Sequence, residues 1–376
     1  MLSIFRDYLQ SLFGYCKCNI CKLDLKITMK INIKKCVKVL LDAVFLFGLI
    51  GLTFYLSFKD RSISEIMESI RKSNPGWLCL AVAFVIIFIC GESVIMKYLY
   101  NILGTPIKLI RCIKYSFIGF FFSSVTPSAT GGQPMQLVYM KKDKYRMSES
   151  CLVLLIITIG YKAALVLMSG IAFIFSGTFI FDHLDSVVYI LVYGLIVNIL
   201  FISFLLIIIF HDKLTEKMIG MLVNILAVFH ITKNKEKLYE KFINRMQPYR
   251  DGAAYLREHQ GVFFHVLWMS VIQRLALFLV TWCVYRSFDL HGISAMKIVA
   301  LQTIISLSVD MLPLPGGVGA SEKSFEIMFG TIFGEILVIP GMVLSRGISY
   351  YFLVLVTGLG TAVAHFSGRV KKIKKK

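Results

Sequence analysis

Apolar residues in this chain fall in runs of about 20 or more, long enough to cross a hydrocarbon layer roughly 30 Å thick as a helix. That pattern excludes most soluble folds. Val187 to Phe210 carries apolar residues on every helical face, whereas the strands of a membrane barrel alternate apolar and polar positions. The fold class expected is an all-α polytopic membrane protein. Composition agrees, with 57% hydrophobic and 17% charged residues, far from the balance of a soluble domain.

Six runs read as full spans: Leu40 to Phe58, Gly76 to Tyr98, Cys151 to Phe179, Val187 to Phe210, Gly261 to Tyr285 and Val338 to His365. Two further apolar regions are broken near their middles. The breaks are Thr126-Pro127-Ser128-Ala129-Thr130-Gly131-Gly132-Gln133-Pro134 and Pro313-Leu314-Pro315-Gly316-Gly317-Val318-Gly319, residue types that stop or turn a helix.

The formal net charge of +19 gathers in the N-terminal 38 residues, between His211 and Glu258, and in the tail Arg369, Lys371, Lys372, Lys374, Lys375 and Lys376. Basic loops of this kind mark the cytoplasmic face, so both termini are expected there. No basic domain stands free of the membrane, and a nucleic-acid role is correspondingly disfavoured. Lys108, Arg111 and Lys114 precede the first broken region and Lys141, Lys142, Lys144 and Arg146 follow it. Both ends then lie inside, which makes a re-entrant hairpin.

The loop from Phe181 to Ser186 carries Asp182 and Asp185 and no basic residue, so it reads as external. Following the charges onward makes the second broken region a hairpin entering from outside. The chain divides near Asp185 into halves of about 39–185 and 186–366 with the same order of parts and opposite sense, the plan of inverted-repeat transporters. Eight ordinary spans with Pro and Gly kinks remain the alternative, because charge counting is a bias and not a law. A basic segment at 1–38, an amphipathic cytoplasmic insert at 211–258 and a basic tail at 367–376 complete the expected layout. Leu2, Ile4, Phe5, Leu9, Leu12 and Phe13 are compatible with a short interfacial helix.

Ionisable residues inside apolar runs are costly, about 2.5 to 3.5 kcal/mol each on insertion scales, and so tend to be functional. Arg274 lies near the middle of its run, too deep to snorkel, where it could hold a phosphate bidentately. Glu92 and Asp310 are candidates to balance it or to carry a proton; a buried pair that only fixes packing is the competing reading. Arg346 and Lys162 lie a few turns inside their runs and could line the same cavity. Arg111, Asp42 and Lys297 lie near ends, where snorkelling accounts for them.

At each break a short helix begins, with N–H groups and the positive end of its dipole directed inward. Thr130, Gly131, Gly132, Gln133 and Pro134 suit the start of one, and Gly316, Gly317, Gly319, Ser321 and Glu322 the start of the other, Glu322 also offering a counter-charge. Pro127, Pro134, Pro313 and Pro315 shape the turns. The competing reading is that the breakers only let the chain turn back.

Nine cysteines include Cys16, Cys18 and Cys21, a spacing compatible with zinc but without the matching pair of a finger, so reduced thiols are expected. The histidines are scattered. No metal and no cofactor is expected. G-x-x-x-x-G-K-[ST], H-E-x-x-H and G-x-S-x-G are all missing from the sequence, so neither ATP hydrolysis nor hydrolytic chemistry is legible.

The two breaks, the first continuing through Met135 and Gln136 and the second through Ala320, Ser321 and Glu322, resemble the lysylphosphatidylglycerol synthase transmembrane family. That family includes the flippase half of the bacterial multiple peptide resistance factor. The resemblance covers nearly the whole chain from the first span onward. It implies re-entrant helices in a bacterial cytoplasmic membrane and movement of an anionic or aminoacylated phospholipid, such as lysyl-phosphatidylglycerol, between leaflets, with resistance to cationic antimicrobial peptides as the result.

It also implies, as alternatives, polyprenyl-phosphate or glycolipid handling, or lysyl transfer from lysyl-tRNA to phosphatidylglycerol. In full-length members that transfer belongs to a soluble acyltransferase domain, which this sequence, read to Lys376, does not contain. The partners implied are a membrane phospholipid and possible association with a separate lipid-modifying enzyme or a second copy of the chain. A non-transporting membrane scaffold is the remaining reading. Glu322 and the Pro-Gly-Gly turn match the family pattern, whereas many relatives have an acidic residue and an arginine in place of Gln133 and Gln136.

Overall fold

The structure, a computed structural model, describes residues 63–210 and 261–373, with residues 220, 221, 254, 258 and 259. Regular structure among them is entirely helical. The N-terminal segment with its cysteine cluster, the expected first span from Leu40 to Phe58 and nearly all of the 211–258 insert lie outside the described residues.

A short amphipathic helix, α1 (Ile63–Lys72), precedes α2 (Pro75–Ile102). Asn74 caps α2 through a 2.9 Å bond from the Gly76 N–H to its Oδ1, with Pro75 in the first turn, the placement both residue types favour. Helices α3 (Leu109–Ser124) and α4 (Gly132–Lys142) flank a single 3-10 turn at Pro127–Ala129. Next come α5 (Met147–Leu184), α6 (Val187–Phe210) and α7 (Gly261–Ser287). The second pair, α8 (Ala295–Val309) and α9 (Ala320–Arg346), flanks a 3-10 turn at Pro315–Gly317, and a π-helical turn at Gly347–Phe352 leads to α10 (Leu353–Ile373).

Among the described residues, five helical stretches are long and apolar enough to cross a membrane: α2, α5, α6, α7 and the stretch Pro315–His365. Their outer faces carry large apolar side chains such as Ile174, Phe175, Phe264 and Trp268, as a lipid-facing surface requires.

The last stretch is not one straight rod. Glu322 and Arg346 form an ion pair at 2.8 Å, yet residues so spaced on a straight helix would be about 36 Å apart. The reversal falls at Gly334, whose φ of 74° and ψ of 165° are non-helical and are open to glycine without strain. Residues 320–333 therefore pair back on 335–346.

The first pair turns more tightly. A Cβ on Gly132 would sit 2.1 Å from Ser123 Oγ and 2.6 Å from the Gly119 carbonyl oxygen, so α4 folds onto α3 with backbone nearly touching backbone. Gly132→Ala is accordingly expected to destabilise by about 1–3 kcal/mol through overpacking, read as a lower thermal unfolding midpoint in detergent. Gly170→Ala, where a Cβ meets nothing within 4 Å, is the control expected not to lower the midpoint, Ala being the better helix former.

The turns of the two pairs meet. Ser128 Oγ donates to the Leu312 carbonyl at 3.2 Å, and Tyr350 Oη, from the π-helical turn, donates to the Ser124 carbonyl at 2.9 Å. Around them α7 packs on α2 and α5, α8 on α5 and α6, and α10 on α3.

Candidate functional site

Each central helix changes character at its middle. In α5, Leu152 to Ile159 belong to one apolar cluster and Leu165 to Leu184 to another, with Tyr161 and Lys162 between them. In α6, Val187 and Leu191 lie on one side of Asn198, and Leu205 and Ile209 on the other. In α7, Val266 and Phe278 bracket Arg274, and in α2, Ile89 and Ile95 bracket Glu92. A polar layer is thus held between two apolar ones.

Arg274, Asp310 and Lys162 come together in that layer. Arg274 is 1% exposed. Its Nε donates to the Tyr161 carbonyl at 2.9 Å and its guanidinium lies 3.6 Å from the centre of the Tyr161 ring, a cation–π contact. Asp310, just past α8, is ion-paired and hydrogen-bonded with Lys162, and the Asn198 side chain, which donates to the Gly194 carbonyl at 2.9 Å, lies close to it. Asp310 Oδ1 stands 3.9 Å from Arg274 Nη2, beyond hydrogen-bonding range. Two cations therefore share one carboxylate, and Arg274 Nη2 is buried with no hydrogen-bond partner.

Glu92 does not join them. Its Oε1 accepts from Gln136 Nε2 at 2.7 Å, and the Ser116 hydroxyl, itself accepting from Ser93 at 3.0 Å, lies close by. Gln136 Nε2 donates as well to the Tyr115 carbonyl at 3.1 Å, fixing α4 to α2 and α3 through neutral groups.

At the second turn Glu322 and Arg346 are committed to each other. Glu322 Oε2 accepts from the Gly319 N–H at 2.7 Å, Arg346 Nη2 donates to the Gly316 carbonyl at 3.0 Å, and the guanidinium lies 4.6 Å from the Tyr350 ring centre. The positive end of the α9 dipole thus already carries a carboxylate, its favoured partner. Gly316 and Gly317 have φ of 59° and 65°, conformations only glycine adopts freely. Gly316 also touches the Tyr350 ring so closely that a Cβ would lie 2.2 Å from it. Ser321 is buried beside Gly317; Pro315 is buried and Pro313 exposed.

At the first turn neither Thr126 nor Thr130 makes a side-chain cap on α4, whose N-cap is Gly131. Thr126 Oγ1 accepts from the Gly131 N–H at 2.9 Å, while Thr130 Oγ1 donates to the Pro127 carbonyl at 3.0 Å. Helix α4 begins one residue later than Gly131, with Pro134 in its first turn. Gly131 and Gly132 are buried, Pro127, Thr130 and Gln133 exposed, and Gln133 reaches Thr158 of α5.

Four residues of this layer escaped sequence reasoning or were underweighted by it. Tyr161 and Asn198 are ordinary in type, and the only available signal for Asn198 was a lone amide inside an otherwise apolar run. Lys162 looked secondary to Arg274 until Asp310 joined them. Gln136 became informative only through its bond to Glu92. At the end of α4, Lys114 Nζ and the Tyr115 hydroxyl donate to Asp143 Oδ2 at 2.7 and 2.6 Å. Burial works against ionisation of that carboxyl, but these bonds and the nearby charges of Lys114 and Arg111 hold it below its usual range.

A family model described as the lysylphosphatidylglycerol synthase TM region matches residues 39–357. A UPF0104 membrane protein of Archaeoglobus fulgidus is 23% identical over 284 residues, covering 71% of this chain and 80% of the relative.

Proposed function

The chain belongs to the lysylphosphatidylglycerol synthase transmembrane family, and from that premise we propose that this multi-pass membrane protein moves an anionic or aminoacylated phospholipid, such as lysyl-phosphatidylglycerol, between leaflets. The observation that carries the reading is Arg274: a guanidinium 1% exposed, at mid-helix, with one nitrogen lacking a hydrogen-bond partner. A lipid phosphate is the oxyanion such a donor suits, since charge-assisted bonds to phosphate are short and strong.

In this reading α3–α4 and α8–α9 are opposed re-entrant hairpins whose tips meet in the middle of a bacterial cytoplasmic membrane, with both termini cytoplasmic. The expected first span completes six crossings. The reversals at the Pro127 turn and at Gly334, and the contact between Ser128 and Leu312, support the arrangement. The headgroup crosses where Arg274, Lys162 and Asp310 replace water, while the acyl chains stay in lipid outside the bundle. Delivery of a lysylated lipid to the outer leaflet would lower surface negative charge and with it the binding of cationic peptides.

The test is leaflet-resolved. Purified protein in proteoliposomes holding a trace of headgroup-intact, tail-labelled phosphatidylglycerol is expected to make inner-leaflet label reachable by an external quencher faster than in protein-free vesicles. Equal rates would overturn the proposal.

A further inference from the structure

Among the described residues of the polar layer, Glu92 is a carboxylate bonded by a neutral side chain and by no cation. Gln136 donates to it at 2.7 Å, and among the described residues no ion pair forms at it, whereas Asp310 and Glu322 are each closed on cations. Ionised, it would stand without a counter-charge in a low-dielectric interior, the condition under which a carboxyl most readily takes up a proton. The residue is neither fully buried nor exposed.

The elements packed on or bonded to α2 carry these polar and charged groups at the level of the layer. Helix α5 offers Tyr161, within electrostatic reach of Glu92, Asp310 and Arg274 alike. Helix α7 offers Arg274, lying on the Tyr161 ring, and the neutral Gln273, which donates to the Phe88 carbonyl at 2.9 Å. From α3 comes the Ser116 hydroxyl, the Tyr115 hydroxyl being turned to Asp143. Gln136 comes from α4. From the π-helical turn comes Tyr350, whose hydroxyl is bound to Ser124, beside an Arg346 closed on Glu322.

We infer that Glu92 is a proton-binding site coupled to the Arg274 phosphate site, so that an anionic headgroup crosses together with a proton. The inference rests on the translocase reading. An ionised Glu92 adds negative charge to the layer that holds Arg274 and disfavours an arriving phosphate; a protonated Glu92 leaves the layer with the one positive charge of Arg274 and Lys162 that Asp310 does not balance. The headgroup therefore enters when the carboxyl has taken a proton from the loading side, and after the headgroup leaves, the proton is released to the other side. One negative and one positive charge move together, and the pair crosses without net charge.

The experiment uses the full chain in vesicles containing tail-labelled phosphatidylglycerol, with a pH difference of one unit imposed across the membrane. At steady state the label is expected to accumulate up to about tenfold in the leaflet facing the alkaline side, since one pH unit is a tenfold difference in proton activity. Glu92→Gln, which mimics the protonated group, and Gln136→Arg, which gives the carboxylate a permanent counter-charge, are each expected to exchange label yet hold the leaflet ratio near one. Fast exchange by the unaltered protein with a ratio near one would overturn the coupling while leaving the translocase reading intact. So would a tenfold ratio retained in both variants. No exchange by the unaltered protein overturns the translocase reading, and the coupling falls with it.

Discussion

Asp310→Ala is expected to destabilise the protein by about 3–5 kcal/mol, the range for removing one partner of a buried ion pair, measured by reversible denaturant titration in mixed micelles. Asp310 neutralises Lys162 and stands 3.9 Å from Arg274 Nη2, so the substitution leaves two cations facing each other with no carboxylate between them. The Lys162 and Asp310 side chains are 12% and 15% exposed, too little for water to take over. The double substitution Asp310→Ala with Lys162→Met removes one of the stranded charges and should recover more than half of the loss. A single substitution within about 0.5 kcal/mol of the parent would mean that the layer is open to water.

Glu322→Ala is expected to cost as much, about 3–5 kcal/mol, for a different reason. One carboxylate there performs two tasks: Oε1 holds Arg346 at 2.8 Å across the fold-back of α9, and Oε2 caps the Gly319 N–H at 2.7 Å. Truncation strands a guanidinium whose side chain is 15% exposed, and it also uncaps a helix, itself worth about 0.5–2 kcal/mol. Glu322→Gln keeps an acceptor for the Gly319 N–H but not the charge, and should fall between the two. Equal stability of the Gln and Ala variants would place the whole effect in the ion pair.

The contrast between these carboxylates explains what was legible in the sequence. Long apolar runs specify crossing helices almost by length alone, because a backbone without water must bond to itself. The expected segments beginning at Gly76, Cys151, Val187 and Gly261 accordingly fall on α2, α5, α6 and α7. The Pro and Gly clusters marked both turns for the same reason. Gly334 passed unnoticed, since an isolated glycine in an apolar run is common; its role emerges from the Glu322–Arg346 pairing that forces the chain to reverse.

Charge partners were the part sequence could not assign. Arg274 was conspicuous because a central arginine is rare, but whether Glu92 or Asp310 faced it depends on how α8 ends and how α4 folds onto α3. The structure puts Asp310 beside Arg274 and Lys162, and gives Glu92 to Gln136. That Thr126 and not Thr130 accepts from the Gly131 N–H is a one-turn difference inside an irregular loop, where position along the chain says little about which hydroxyl points back.

The measurement closest to the centre of this account is lipid exchange by Arg274→Gln in the proteoliposome assay, with the folded fraction checked in parallel. The substitution leaves Lys162 and Asp310 as a neutral pair, so folding should survive. Loss of a charge-assisted contact to phosphate, worth about 1.5–3 kcal/mol, should slow exchange by about tenfold to a hundredfold. Exchange at the parent rate by a fully folded Arg274→Gln would contradict the claim that this guanidinium holds the headgroup.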